Sequence, residues 1–158
     1  MRTLSLSPIA RLAAFAPLVV RVILGIIMVA HGLQKLTQMG PANFGQQALA
    51  NLGVPLPVFM AYVVTFVELV GGVLLIIGLL SRLAALLLTI DLVVALLLVK
   101  VNVGLIAPQG SGAGAELDLA LIAGFLVVLL AGPGKLSLDY LLGLEGDVAE
   151  GSPTRRNR

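Results

Sequence analysis

Residues 57–80 read PVFMAYVVTFVELVGGVLLIIGLL, an unbroken apolar run with a single charged side chain, Glu68, near its middle. A spanning helix needs about 20 predominantly apolar residues, so this stretch is long enough to cross a bilayer. A charged group halfway along such a helix costs roughly 3 kcal/mol even on the mildest insertion scale. Glu68 is therefore predicted to point into the protein, where another group compensates its charge.

Three further apolar runs of similar length lie outside this stretch, at about 18–36, 83–101 and 115–132. Of the 158 residues, 59% are hydrophobic and 11% are charged, and the mean hydropathy is +1.09. These values lie outside the range of soluble globular domains. The sequence therefore predicts an all-α, polytopic membrane protein, a four-helix bundle without a soluble domain.

The distribution of positive charge predicts the topology. Of the 10 lysines and arginines, all but Lys35 and Lys100 fall on one side of a four-span arrangement. This bias predicts that both termini are cytoplasmic, that Arg21 and Arg82 mark the cytoplasmic side, and that Arg21 snorkels toward the headgroups.

Three segments are expected from this arrangement. Residues 1–17 form an N-terminal interfacial segment, residues 18–139 form the membrane domain, and residues 140–158 form a cytoplasmic tail that is expected to be disordered.

Between the first two runs, residues 37–57 are too polar to span and are broken by glycine and proline. A helix of one to three turns is predicted there, lying on the outer interface and covering the mouth of the bundle.

Charged side chains in or beside the other runs are candidates for a polar core. Asp91 lies in the middle of the third run, His31 and Lys35 are one helical turn apart in the first, and Glu116 opens the fourth. With Glu68 they are predicted to form a polar cluster or ligand site. Because Glu68 lies about 16 Å below Pro57 and His31 only about 6 Å below Lys35, a direct contact between Glu68 and His31 is not expected.

Small residues in the first two runs are predicted to be packing positions. Glycine lets the backbones of neighbouring helices approach closely in a membrane. The positions assigned to helix packing are Gly25, Gly32, Gly71, Gly72 and Gly78. The short connection after Gly78 makes the second and third helices antiparallel neighbours, and Ser81 is predicted to cap the third.

The residue inventory limits the chemistry of the chain. It has no cysteine, no tryptophan and one histidine, which excludes a disulfide framework, a bis-histidine haem, a three-histidine metal site and a blue-copper centre. No intrinsic metal or cofactor is predicted, so any electron carrier is a small ligand or belongs to a partner. The pI near 9.4 follows from the topology and gives no reason to expect nucleic acid.

The order of several short motifs over about residues 18–139 resembles the DoxX-like family of membrane proteins. The motifs are Arg21 to Lys35 with its ending His31-Gly-Leu-Gln-Lys35, Gly53-Val-Pro-Leu-Pro57, Glu68-Leu-Val-Gly-Gly72, Gly78-Leu-Leu-Ser-Arg82, Glu116, Gly132-Pro-Gly134 and Leu138-Asp139. The resemblance implies a four-helix protein of a bacterial or archaeal inner membrane.

The resemblance also implies a link to respiratory or detoxifying redox systems. Members of the family include membrane subunits of thiosulfate:quinone oxidoreductase and a membrane partner that assembles superoxide dismutase with a sulfurtransferase. By this analogy quinone is the expected ligand and a soluble oxidoreductase the expected partner. The implied site residues are His31, Lys35, Glu68, Arg82 and Glu116.

Three functions are compatible with these observations. The first is an auxiliary or anchoring subunit of a quinone-linked redox system, which is not itself a catalyst. The second is a small-solute or proton-coupled carrier in which Glu68 and Asp91 titrate, and with only four helices this would require a homo-oligomer. The third is a structural assembly protein whose polar core only specifies packing. Membrane lipids are partners in all three.

Overall fold

A computed structural model describes residues 11–109 and 112–144 of the chain, and this part contains helices and no strand. The α-helices are α1 Ala16–Gln34, α2 Pro41–Phe44, α3 Pro57–Ile77, α4 Ser81–Leu98, α5 Ala115–Ala131 and α6 Leu138–Leu141. Two of them continue as π-helices, α1 through Lys35–Met39 and α2 through Gly45–Leu49. A 3-10 turn precedes α1 at Arg11–Phe15, and another follows α4 at Lys100–Asn102.

The all-helical prediction is confirmed. Three helical stretches are long and apolar enough to cross a membrane, Leu12–Met39, Pro57–Ile77 and Ser81–Leu98. The helix α5 has 17 residues, so it is about 25 Å long against a hydrocarbon core of about 30 Å. The fourth span stays a prediction. So do the segment boundaries, since residues 1–10 and 145–158 lie outside the described part.

The four long helices pack in a ring, in which α1 contacts α3, α3 contacts α4, α4 contacts α5 and α5 contacts α1. Their shared core is made of large apolar side chains from all four helices, together with Ala84 and Ala85 of α4. Met28, Leu75, Leu88 and Phe125 are fully buried within it. The outward faces are apolar as well, which is typical of helices that are surrounded by lipid.

Glycines bring α1 and α3 together. A Cβ atom at Gly25 would lie 2.6 Å from the Gly72 carbonyl oxygen, and one at Gly72 would lie 2.8 Å from the Gly25 carbonyl oxygen. The glycine next to Gly72 faces the other neighbour, because a Cβ at Gly71 would meet the Leu88 side chain of α4 at 3.2 Å. The backbones of α1 and α3 therefore touch where these residues have no side chain.

The start of α4 is capped differently from the sequence-based prediction. Ser81 does not cap its own helix, and its buried hydroxyl has no hydrogen-bond partner among the described residues. Asp139 accepts hydrogen bonds from the Leu80 and Ser81 amides at 2.6 and 2.8 Å instead. A carboxylate suits this position because the first amides of a helix are unpaired and carry partial positive charge.

The prediction that Arg21 snorkels toward the headgroups is wrong. Its side chain is 1% exposed, and its guanidinium donates to the carbonyl oxygens of Leu75 at 3.2 Å, Ile76 at 3.4 Å and Leu136. The carbonyls at the end of α3 carry partial negative charge, and Asp139 attracts the same cation. Burial of the Arg21 guanidinium is tolerated because these backbone carbonyl oxygens accept the hydrogen bonds that lipid headgroups would otherwise accept.

Arg21 and Asp139 thus fasten residues 132–141 to the turn between α3 and α4, an arrangement that we call the C-terminal clamp. Within it the Asp139 amide donates to the Gly78 carbonyl at 2.8 Å, and Gly78 itself has a left-handed φ of 72° that a side chain would disfavour. Arg82 lies nearby and donates to the Leu129 and Leu130 carbonyls at the end of α5. Three of the six family-like motifs outside α1 therefore meet in this clamp, Gly78–Arg82, Gly132–Gly134 and Leu138–Asp139.

Candidate functional site

A buried ion pair joins α1 to α3. The Lys35 Nζ lies 2.6 Å from Oε2 and 2.7 Å from Oε1 of Glu68, and the two side chains are 15% and 5% exposed. Gly32, one turn before Lys35, packs against the backbone of Leu69, the residue after Glu68. This close approach lets the lysine side chain reach the acid. Glu68 therefore points into the protein and is compensated by Lys35.

The segment between α1 and α3 covers this pair. The Phe44 ring centroid lies 5.7 Å from the Lys35 Nζ, within the range of a cation–π contact. Gly45 is buried against the start of α3, where a Cβ atom would lie 2.6 Å from the Val58 Cα. The segment 41–49, which we call the cover, thus separates one side of the ion pair from its surroundings.

Asp91 lies close to the ion pair on the neighbouring helix α4. It is half-buried and interacts electrostatically with Glu68, Lys35 and Asp118. In the described part of the chain, no hydrogen bond or ion pair involves its carboxylate. The structure therefore brings Lys35, Glu68 and Asp91 together from three different helices.

Asp118 is a candidate site residue that was not among those predicted from the sequence. It is 8% exposed, and its Oδ2 has no hydrogen-bond partner among the residues the structure describes. Its electrostatic partners are Lys100, His31 and Glu116. The spacing of the buried residues Asp118, Leu121, Phe125 and Val128 contains the signal, but α5 is apolar on nearly every face, so periodicity alone could not orient it.

Glu116 interacts electrostatically with Asp118, and its role in the site stays a prediction. Its side chain is exposed, and its Oε1 accepts a hydrogen bond from the Gly114 amide at 3.2 Å, just before α5 begins. Lys100 donates to the Ala113 carbonyl at 2.5 Å and thereby ties the end of α4 to the loop before α5. In the first turn of α5, the Glu116 side chain is thus exposed and the Asp118 side chain is buried.

His31 is half-buried on α1 and interacts electrostatically with Asp118. We call Lys35, Glu68, Asp91, Asp118 and His31 the polar cluster. It offers carboxylates and an imidazole that can hold or pass protons, and an ammonium group that can donate to a carbonyl oxygen. Among the described residues no three histidine, cysteine or acidic side chains are grouped to hold a metal ion.

Comparisons with known proteins agree with the helical architecture. The sequence model of the family described as DoxX matches residues 16–101. A Mycobacterium tuberculosis (strain ATCC 25618 / H37Rv) relative, "Uncharacterized membrane protein Rv3486", is 34% identical over 130 residues, which cover 78% of each chain. A Bacillus subtilis (strain 168) relative, "Putative oxidoreductase CatD", is 37% identical over 123 residues, 77% of this chain and 83% of the relative. No solved structure is significantly similar to the chain.

Proposed function

Because this chain belongs to the DoxX family of membrane proteins, we propose that it is an auxiliary membrane subunit that anchors a soluble oxidoreductase and holds a quinone at the polar cluster. The buried Lys35–Glu68 pair, with two further carboxylates beside it, is the observation that carries this proposal. The name of the Bacillus subtilis relative supports a redox association.

The chemistry of quinones fits the groups in the cluster. Reduction of a quinone to a quinol takes up two electrons and two protons. The partner oxidoreductase supplies the electrons from its own substrate, since this chain has no cysteine or tryptophan and one histidine. The chain supplies hydrogen bonds and a path for protons, with Lys35 donating to a quinone carbonyl and the acids of the cluster passing protons.

A purely structural role is the main competitor, because Lys35 and Glu68 already satisfy each other. A buried polar network that serves only packing is expected to have its members paired. The Asp118 Oδ2 is buried without a hydrogen-bond partner in residues 11–109 and 112–144, and no hydrogen bond joins the half-buried Asp91 carboxylate to another of these residues. These unpaired acids favour a site that is completed by a ligand.

The proposal also includes the topology. We place the chain in a bacterial or archaeal inner membrane with both termini in the cytoplasm, because all but two of the 10 lysines and arginines then face the cytoplasm. The C-terminal clamp would lie on the cytoplasmic side. The cover and the polar cluster would lie toward the opposite side.

Affinity purification from native membranes in a mild detergent tests the proposal. Mass spectrometry of the wild type should detect a soluble oxidoreductase and a quinone. Lys35→Gln should keep the oxidoreductase and lose about 90% of the quinone, whereas Lys135→Gln, which removes an exposed lysine in the clamp segment, should keep both. Recovery of neither quinone nor oxidoreductase with the wild type would refute the proposal.

A further inference from the structure

An apolar groove of about 300 Å³ runs between α3 and α4. Its walls include Phe66, Val70 and Leu74 of α3 and Leu87 of α4, and its floor is formed by the buried residues Gly71 and Ala84. Both helices are long and apolar enough to span the membrane, and the wall residues Phe66 and Val70 are about half exposed. The groove therefore opens sideways to the bilayer.

The groove ends near an acid. Asp91 follows Leu87 by four residues and Ala84 by seven, so it lies on the same face of α4 about 6 Å beyond the groove. It is half-buried and interacts electrostatically with Glu68 and Lys35. The apolar groove and the Asp91 carboxylate thus follow one another along the same face of α4. Ligand sites of this kind combine an apolar lining with a few placed polar groups.

We propose that this groove holds the tail of a lipid-soluble, isoprenoid redox carrier whose polar head lies between Asp91 and the Lys35–Glu68 pair. The inference rests on the proposed function and specifies where the carrier enters and binds. A hydroxyl of the reduced head donates to the Asp91 carboxylate, which has no hydrogen bond or ion pair to another described residue. The carrier reaches the cluster laterally through the bilayer, without passing the cover.

A phospholipid does not match the polar end of this site. Asp91 lies ten residues into α4 from Ser81, about 15 Å along the helix axis, whereas phospholipid headgroups stay at the interface. The phosphate is also an anion, which the unpaired acids Asp91 and Asp118 would repel. A neutral head with hydroxyl or carbonyl groups fits both the depth and the charge.

Photocrosslinking in lipid nanodiscs tests the inference. The probe is a ubiquinone analogue with a diazirine in its tail, and a phosphatidylcholine with a diazirine in its acyl chain is the comparison. The ubiquinone probe should label the peptides that contain residues 66–74 and 83–87, and excess decylubiquinone should abolish this labelling. Val70→Trp should reduce it about tenfold, because the indole fills the groove.

The matched control is Val73→Trp. Val73 is similarly exposed on α3, at 44% against 50% for Val70, but it does not line the groove. It should leave the labelling unchanged. Asp91→Leu should weaken competition by decylubiquinone about tenfold while thermal unfolding shows an intact fold.

The possible failures distinguish this inference from the proposed function. Competed labelling at other residues, with quinone still copurifying from native membranes, would overturn the groove and leave the proposed function standing. Equal labelling by the phosphatidylcholine probe, without competition, would mean that ordinary lipid fills the groove and would also overturn it. Absence of any competed labelling, together with no copurifying quinone, would overturn both.

Discussion

Gly32 and Leu69 are in backbone contact across the interface between α1 and α3, so that a Cβ atom at Gly32 would lie 2.7 Å from the Leu69 amide nitrogen. One turn along α1 from Gly32 is Lys35, and the residue before Leu69 is Glu68. The close approach of these two backbones therefore sets the distance across which the buried ion pair forms. Packing and the candidate site depend on the same contact.

Gly32→Ala should destabilise the protein by roughly 1–3 kcal/mol, because the added methyl group meets backbone atoms that cannot move away independently. Gly71→Ala is the matched control on α3, where the new Cβ would meet only the flexible Leu88 side chain at 3.2 Å. Thermal unfolding followed by circular dichroism should show a lower melting temperature for Gly32→Ala than for Gly71→Ala. Equal melting temperatures would contradict the assigned contact.

Asp118→Asn should separate stability from function. Burial of a charge without a full set of partners costs several kcal/mol, so the neutral amide should leave the melting temperature unchanged or raise it. Loss of a proton-passing acid should nevertheless lower quinone reduction by the native complex at least tenfold. Full activity in a stable Asp118→Asn variant would remove this residue from the site.

Asp139→Asn should loosen the C-terminal clamp. The change weakens the hydrogen bonds accepted from Leu80 and Ser81 and removes the charge that faces Arg21. Loss of about 1–3 kcal/mol would increase the population of the locally opened clamp by a factor of about 5 to about 150. Trypsin should then cleave after Lys135 correspondingly faster than in the wild type, while Tyr140→Phe, at an exposed neighbouring side chain, should cleave at the wild-type rate. Unchanged cleavage of Asp139→Asn would show that the clamp does not depend on this carboxylate.

The orientation can be read from single cysteines, since the natural chain has none. Gln46 in the cover and Lys135 in the clamp segment both have exposed side chains. A membrane-impermeant maleimide should label Gln46→Cys in intact spheroplasts and Lys135→Cys only after the membrane is permeabilised. The reverse pattern would invert the proposed topology.

Much of the helical framework could be predicted from apolar run length. The runs at 57–80 and 83–101 correspond to Pro57–Ile77 and Ser81–Leu98, and the run at 115–132 corresponds to Ala115–Ala131. Segments of this kind are defined by local composition, so their ends follow from glycine, proline and polarity. The cover likewise follows from the prolines and glycines that bracket it.

The side-chain partners could not be predicted in the same way. Arg21 and Asp139 are far apart in the sequence, and no local pattern states that they share one turn. The depths of the Cα atoms gave no reason to expect a contact between Glu68 and His31, and no hydrogen bond or ion pair joins these two residues. The partner of Glu68, Lys35, could not be identified from Cα depth, because the contact depends on the reach of the lysine side chain and on the continuation of the helix to Met39. Asp118 was not assigned to the site because α5 has no polar face against which to orient it.

Whether the Lys35–Glu68 pair holds the quinone can be measured from the quinone content of a double variant, Lys35→Met with Glu68→Leu. Replacement of a buried ion pair by apolar residues of similar volume is often neutral or stabilising, so this protein should fold and span the membrane normally. The double variant should copurify with the oxidoreductase but with less than a tenth of the quinone bound by the wild type. Quinone bound at the wild-type level would show that the ion pair only fastens α1 to α3 and does not hold the quinone.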